Sequence, residues 1–200
     1  MAYDEKPAGR VRKAENTDFV TRYALLVRGV NVGTKNSLPM VELREMLTKL
    51  GCSEVETLLQ SGNAVFGTKL ATDVLQRAVE AALERYMGRP IATTLRTREQ
   101  FELIVEANPF EEVATNHACL CVTFLTNPPT SAEVAPLYAQ DFEPALFRVA
   151  GTEIYSWHPE GQGRSPLAAA LDKLKLRGGA TTRNWNTVLK LLATLERRAT

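Results

Sequence analysis

The 200-residue chain has no apolar run approaching the roughly 18 residues needed to cross a bilayer, and its first residues are polar, without the apolar core of a signal peptide. The cytoplasm is therefore the expected compartment, with no membrane attachment. Cysteine is scarce: Cys52, Cys119 and Cys121 are odd in number, and the last two sit too close together to bridge easily. Reduced thiols are expected rather than a disulfide framework. A surplus of charge is lacking too, since 24 basic against 23 acidic residues leave +1. A dedicated nucleic-acid-binding domain carries a clear basic excess, so the balance points away from nonspecific binding of DNA. With 44% hydrophobic and 24% charged residues, the composition is that of an ordinary globular chain, able to build a core without a structural metal.

What is present is a clear alternation of patterns. Residues 1–19 mix both charges without periodicity and predict a flexible tail. Residues 23–27 are a short apolar run suited to a strand buried on both faces. After Pro39, the residues Met40, Leu43, Met46, Leu47 and Leu50 fall on one helical face, and Gly51 supplies a left-handed cap. Residues 55–59 and 63–67 read as a hairpin turning at Gln60-Ser61-Gly62, followed by a long amphipathic helix from Leu70 to Tyr86, a strand over 90–95 and a short helix over 98–107. The order βαββαβ predicts an α+β fold with a ferredoxin-like N-terminal half, here residues 20–110. Residues 111–200 read as a C-terminal half: strand 118–125, a weak helix, strands 145–149 and 153–157, then helices from Pro166 and from about Asn184. This βαββα order resembles the first half and predicts a related, duplicated unit.

Five segments recur in a fixed order: Leu26-Val-Arg-Gly-Val-Asn-Val-Gly33, Gln60-Ser-Gly-Asn63, Asn108-Pro-Phe110, Gly163-Arg-Ser165 and Thr182-Arg-Asn-Trp-Asn-Thr-Val-Leu-Lys190. Together they resemble the bacterial domain-of-unknown-function family 1697 over about residues 22–195. The resemblance implies a two-part α+β fold and carries no assigned activity. The chain departs from the family pattern at Thr34, where a second glycine is common, and at Pro166, where a longer polar residue is common. A slightly stiffer loop is the expected consequence.

Candidate ligand-contacting residues lie in polar loops. Arg28, Asn31 and Lys35 follow the first strand beside two glycines, a combination able to present N–H groups and cations to an anion. The spacing Gly29-x-x-x-Gly33-x-Lys35 is not that of a P-loop, and Asn36 stands where the metal-binding hydroxyl would be. Ser61 and Asn63 sit in the hairpin turn. Arg164 and Ser165 precede a helix, with Ser165 as N-cap and Pro166 at its first position. Arg183 and Asn184 are read as the start of the last helix, placed to complete a site between the halves. A small anionic or phosphate-bearing ligand held between the two halves is the leading expectation. The alternatives are an enzyme drawing on Ser61, Lys35 or His158, and an RNA-binding sheet using Tyr23, Phe66, Phe124 and Tyr155. His117, Cys119 and Cys121 alternate, but the outer two positions of such a strand stand about 13 Å apart. They cannot readily converge on one ion with bonds of about 2 Å, so no metal site is expected. Cofactor and oligomeric state stay open.

Overall fold

The computed structural model describes residues 19–31 and 37–197. The expected tail, except its last residue, and the candidate Lys35 lie outside the described residues. The first half runs β1 (Thr21–Val27), α1 (Met40–Lys49), β2 (Ser53–Leu58), β3 (Asn63–Thr68), α2 (Thr72–Met87), β4 (Thr93–Thr97) and α3 (Arg98–Glu106). The second repeats it: β5 (Leu120–Leu125), α4 (Ser131–Tyr138), β6 (Leu146–Ala150), β7 (Glu153–Trp157), α5 (Pro166–Asp172), β8 (Ala180–Asn184) and α6 (Trp185–Glu196). Each half forms a four-stranded antiparallel sheet, in the orders β2-β3-β1-β4 and β6-β7-β5-β8. This is the ferredoxin-like order used twice.

The second half has one strand more than its sequence pattern predicts. Thr181, Thr182 and Arg183, expected to open the last helix, lie in β8 and pair with β5. The β-branched Thr181 and Thr182 favour extended backbone. The helix starts only after Asn184, whose side-chain oxygen accepts the Thr187 N–H at 3.0 Å as a cap. At the other end of the half, β5 begins at Leu120, so His117 and Cys119 precede the strand instead of alternating along it. Among the described residues no three His, Cys, Asp or Glu side chains come together to hold a metal. No helix among them is long and apolar enough to cross a membrane.

Three layers of core hold the sheets. One face of the first sheet (Tyr23, Leu25, Val27, Phe66, Leu95) packs under α1 and α2. The outer face of the second sheet packs under α4 and α5 through Leu125, Ile154, Val134 and Leu167. The third core is shared: Ala24, Leu26 and Val65 of the first sheet meet Val122, Phe124 and Tyr155 of the second across Phe101 of α3 and Val188, Leu191 and Leu195 of α6. The strand read as buried on both faces, β1, is so because this shared core covers its second side. Every face of both sheets is therefore occupied.

Strand register makes the halves equivalent residue by residue. Ala24 pairs with Arg96 as Val122 pairs with Arg183, and Leu26 pairs with Asn63 as Phe124 pairs with Glu153. Ala92 and Gly179, each just before the fourth strand of its half, are equivalent and touch: a Cβ on Gly179 would stand 2.9 Å from that of Ala92. The pseudo-two-fold axis passes between them. The chain is thus arranged as an isologous dimer is, with the same surface of each half meeting the other.

Candidate functional site

The N-terminal wall of the site is built where β1 ends. The Arg28 N–H donates to Ala92 O at 3.0 Å, and its guanidinium is exposed with no hydrogen-bond partner among the described residues. Asn31 has a positive φ of 56°, a conformation asparagine tolerates better than most residues. Its side chain donates to Leu38 O at 2.9 Å and Gln60 O at 2.6 Å and accepts the Leu38 N–H at 2.8 Å. Asn31 therefore joins the end of the β1 segment to Leu38 and ties both to the β2–β3 turn.

The turn itself is fixed by Gly62 and Asn63. Gly62 has φ +71°, and a Cβ there would lie 2.5 Å from Val30 Cγ2 and 2.9 Å from Val27 Cβ, so both backbone conformation and space require glycine. Asn63 is fully buried. Its amide donates to Leu58 O at 3.2 Å and to Ser61 Oγ at 2.8 Å, leaving Oδ1 to face the second half.

Into this turn β8 sends Arg183. All five N–H bonds of its guanidinium are taken: Nε donates to Asn63 Oδ1 (2.6 Å), Nη1 to Thr181 Oγ1 (2.7 Å) and Thr182 O (2.8 Å), and Nη2 to Val27 O (3.0 Å) and Ser61 O (2.9 Å). Every acceptor is neutral. Burial, with no carboxylate to offset it, pulls the Arg183 pKa down to about 10. The group stays charged at neutral pH.

The register-equivalent Arg96 does the same in the opposite direction. From β4 it reaches Leu125 O at 2.8 Å, Thr152 O at 3.3 Å and the Glu153 carboxylate at 2.8 Å. Val27 and Leu125 are equivalent, as are Asn63 and Glu153. Each half thus extends an arginine that grips the end of the first strand, the hairpin and the first residue of the third strand in the other half. One clasp closes on a carboxylate and the other on an amide. Arg96 and Glu153 escaped the sequence reading, which ended the strand at Leu95. A signal was available: Thr94-Leu-Arg-Thr97 and Thr181-Thr-Arg-Asn184 share one pattern at equivalent positions.

Arg28 and Arg183 line a cleft of about 290 Å³ between the halves, with Thr123, Thr181, Thr182 and the exposed Asp172. Thr123 and Thr182 hydroxyls bond to each other at 2.8 Å. Among the sequence-selected residues, Arg28 and Arg183 meet in this cleft, and Ser61, Asn63 and Asn31 belong to the network that supports it. Asn184 caps α6. Arg164 and Ser165 are elsewhere, lining a separate cavity of about 280 Å³ with His158. Ser165 Oγ caps α5 by accepting the Ala168 N–H at 3.3 Å and bonds His158 Nδ1 at 2.7 Å, while His158 Nε2 bonds Ser156 Oγ at 2.9 Å. The Ser61 hydroxyl is bonded to Asn63, with no histidine in its network. The strand aromatics are covered: Tyr23, Phe66, Phe124 and Tyr155 are at most 4% exposed.

The conserved bacterial protein SP0830 from Streptococcus pneumoniae has a similar solved structure, with 28% sequence identity and a TM-score of 0.76. The match covers 89% of this chain and 100% of that one. No curated protein matches the chain. The family model described as "Protein of unknown function (DUF1697)" matches residues 20–155, so the chain belongs to that family.

Proposed function

We propose that the chain binds a small anion, a phosphate or the phosphate of a small monoester, in the cleft between its halves. The supporting observation is that two cations without an acidic bonding partner, Arg28 and Arg183, line the same cleft. Arg183, having no N–H left to give, supplies charge and holds the walls together, whereas the Arg28 guanidinium, without a partner among the described residues, makes the direct, bidentate contact that guanidinium offers phosphate. Thr181, whose Oγ accepts from Arg183, keeps its own O–H as a donor. A volume of about 290 Å³ sits at the small end of the range for ligand sites, which favours a compact anion over a dinucleotide. Asp172 in the same wall disfavours a ligand that is anionic throughout and suits one with a hydroxyl or amine beyond its phosphate.

Isothermal titration of the protein with inorganic phosphate, sugar phosphates and mononucleotides tests this reading. The expected result is saturable binding that Arg28→Ala removes without lowering the melting temperature. Failure of the intact protein to bind any of these anions would sink it.

A further inference from the structure

A cavity of about 700 Å³ lies away from the two-fold junction, between α4 and α5. Its origin is a difference between the halves. Helices α1 and α2 span 10 and 16 residues and fill their side of the first sheet, whereas α4 and α5 span 8 and 7. Small and imino residues (Ala132, Pro136, Ala169) and Leu174 wall the resulting groove.

The groove has direction. Leu137, near the end of α4, clusters with Leu167 at the start of α5. Val134, near the start of α4, clusters with Leu171 and Leu174 at the other end of α5. Because α4 follows β5 and α5 follows its antiparallel neighbour β7, the two helices are antiparallel, and Lys173 and Lys175, just past the end of α5, line the groove at the end where α4 begins. The acidic residue in the lining, Glu133, is already engaged: its carboxylate accepts from the Thr130 N–H and hydroxyl at 2.7 and 2.8 Å and from Arg177 at 3.0 and 3.2 Å. Neither lysine's ammonium group has a hydrogen-bond partner among the described residues. The uncompensated charge of the groove is thus positive and confined to one end, and the remainder is apolar apart from Gln140, whose amide donates to Pro136 O at 2.9 Å.

We infer that this groove is a binding site for an amphiphilic anion, specifically an alkyl carboxylate whose chain lies along Pro136 and Ala169 and whose head group meets Lys173 and Lys175. The site is distinct from the junction cleft, with Leu174 lining both. Burial of the alkyl chain supplies the affinity, and the lysines set the sign of the head group.

Calorimetric titration with octanoate below its micelle concentration, and with octylamine as the cationic counterpart, tests the inference. Octanoate is expected to bind at one site and octylamine far more weakly. Ala169→Trp, which fills the groove from an exposed position, should abolish octanoate binding. The pair Lys173→Glu with Lys175→Glu should weaken it about tenfold, and Arg28→Ala should leave it unchanged. The inference is overturned if octanoate does not saturate the intact protein, if Ala169→Trp binds it normally, or if Arg28→Ala removes it, since the anion would then occupy the junction cleft.

Discussion

Removing each clasp arginine in turn has unequal consequences, although the two occupy equivalent positions. Arg96→Ala leaves the Glu153 carboxylate, whose side chain is 11% exposed, with the Thr152 hydroxyl at 3.0 Å as its remaining donor among the described residues. An uncompensated charge at that depth costs about 3–5 kcal/mol. Arg183→Ala leaves three carbonyls and the Asn63 Oδ1 without their donor, but all are neutral and the neighbouring cleft admits water, so about 2–3 kcal/mol is expected. For a chain of this length each kcal/mol moves the melting temperature by roughly 2–4 °C. Urea denaturation followed by circular dichroism near neutral pH should rank Arg96→Ala as the less stable variant. A second substitution separates the causes: Arg96→Ala combined with Glu153→Gln removes the orphaned carboxylate and should recover part of the loss. Equal deficits in the two single variants, or no recovery in the Arg96→Ala, Glu153→Gln pair, would refute the unequal-clasp argument.

Three further outcomes are expected. His158 is 1% exposed, and burial holds its pKa below the usual 6.5. The unfolded chain therefore takes up the proton first, and stability should be level above about pH 6.5 and fall below it, by up to about 1.4 kcal/mol per pH unit. His158→Gln should flatten that decline in chemical denaturation, and an unaltered slope would show that another group causes it. Glu133 is held down to about 2 by the Thr130 N–H, then the Thr130 hydroxyl and the Arg177 N–H; its contribution is present above the unfolded carboxylate pKa and lost on acidification. The melting-temperature gap between the parent and Glu133→Gln should accordingly close as pH falls toward 2, and a pH-independent gap would contradict the assignment. Gly62→Ala should destabilise by about 2 kcal/mol or more, from the left-handed backbone and the collision with Val27 and Val30 together, and a change within measurement error would show that the turn rearranges.

Much of the fold was legible because burial on one face leaves a period in the sequence. The stripes Met40, Leu43, Leu47 and Leu75, Val79, Leu83 mark α1 and α2, and all six side chains are buried. The missing strand was harder: β8 is five residues long and runs directly into the cap of α6, so no turn residue separates strand from helix. For the site, residue type announced that Arg183 and Asn63 had donors and acceptors to satisfy but not which partners they would find. Those two side chains lie 120 positions apart and meet at 2.6 Å, a relation set by the pairing of two whole halves. Arg164 and Ser165 looked like members of the same set from composition alone, yet the second ferredoxin-like unit carries them to a different cavity.

The pseudo-symmetry gives the junction cleft a reference against which its charge can be judged. If holding the halves together were its whole purpose, the two equivalent ends of the junction would need the same groups. They differ at two register-matched positions. Glu153 neutralises Arg96 at one end, while Asn63 leaves Arg183 unneutralised at the other. The residue after β5 is Thr126, whose hydroxyl bonds Gly178 O at 3.3 Å, while the residue after β1 is Arg28, whose exposed guanidinium has no partner among the described residues. Both differences add positive charge to the same end, and the Asn63 one does so at a cost, because a partly buried guanidinium without a carboxylate is less stable than one with it. Clasping alone gives no reason for that cost; recruitment of an anion, as proposed for the cleft, would.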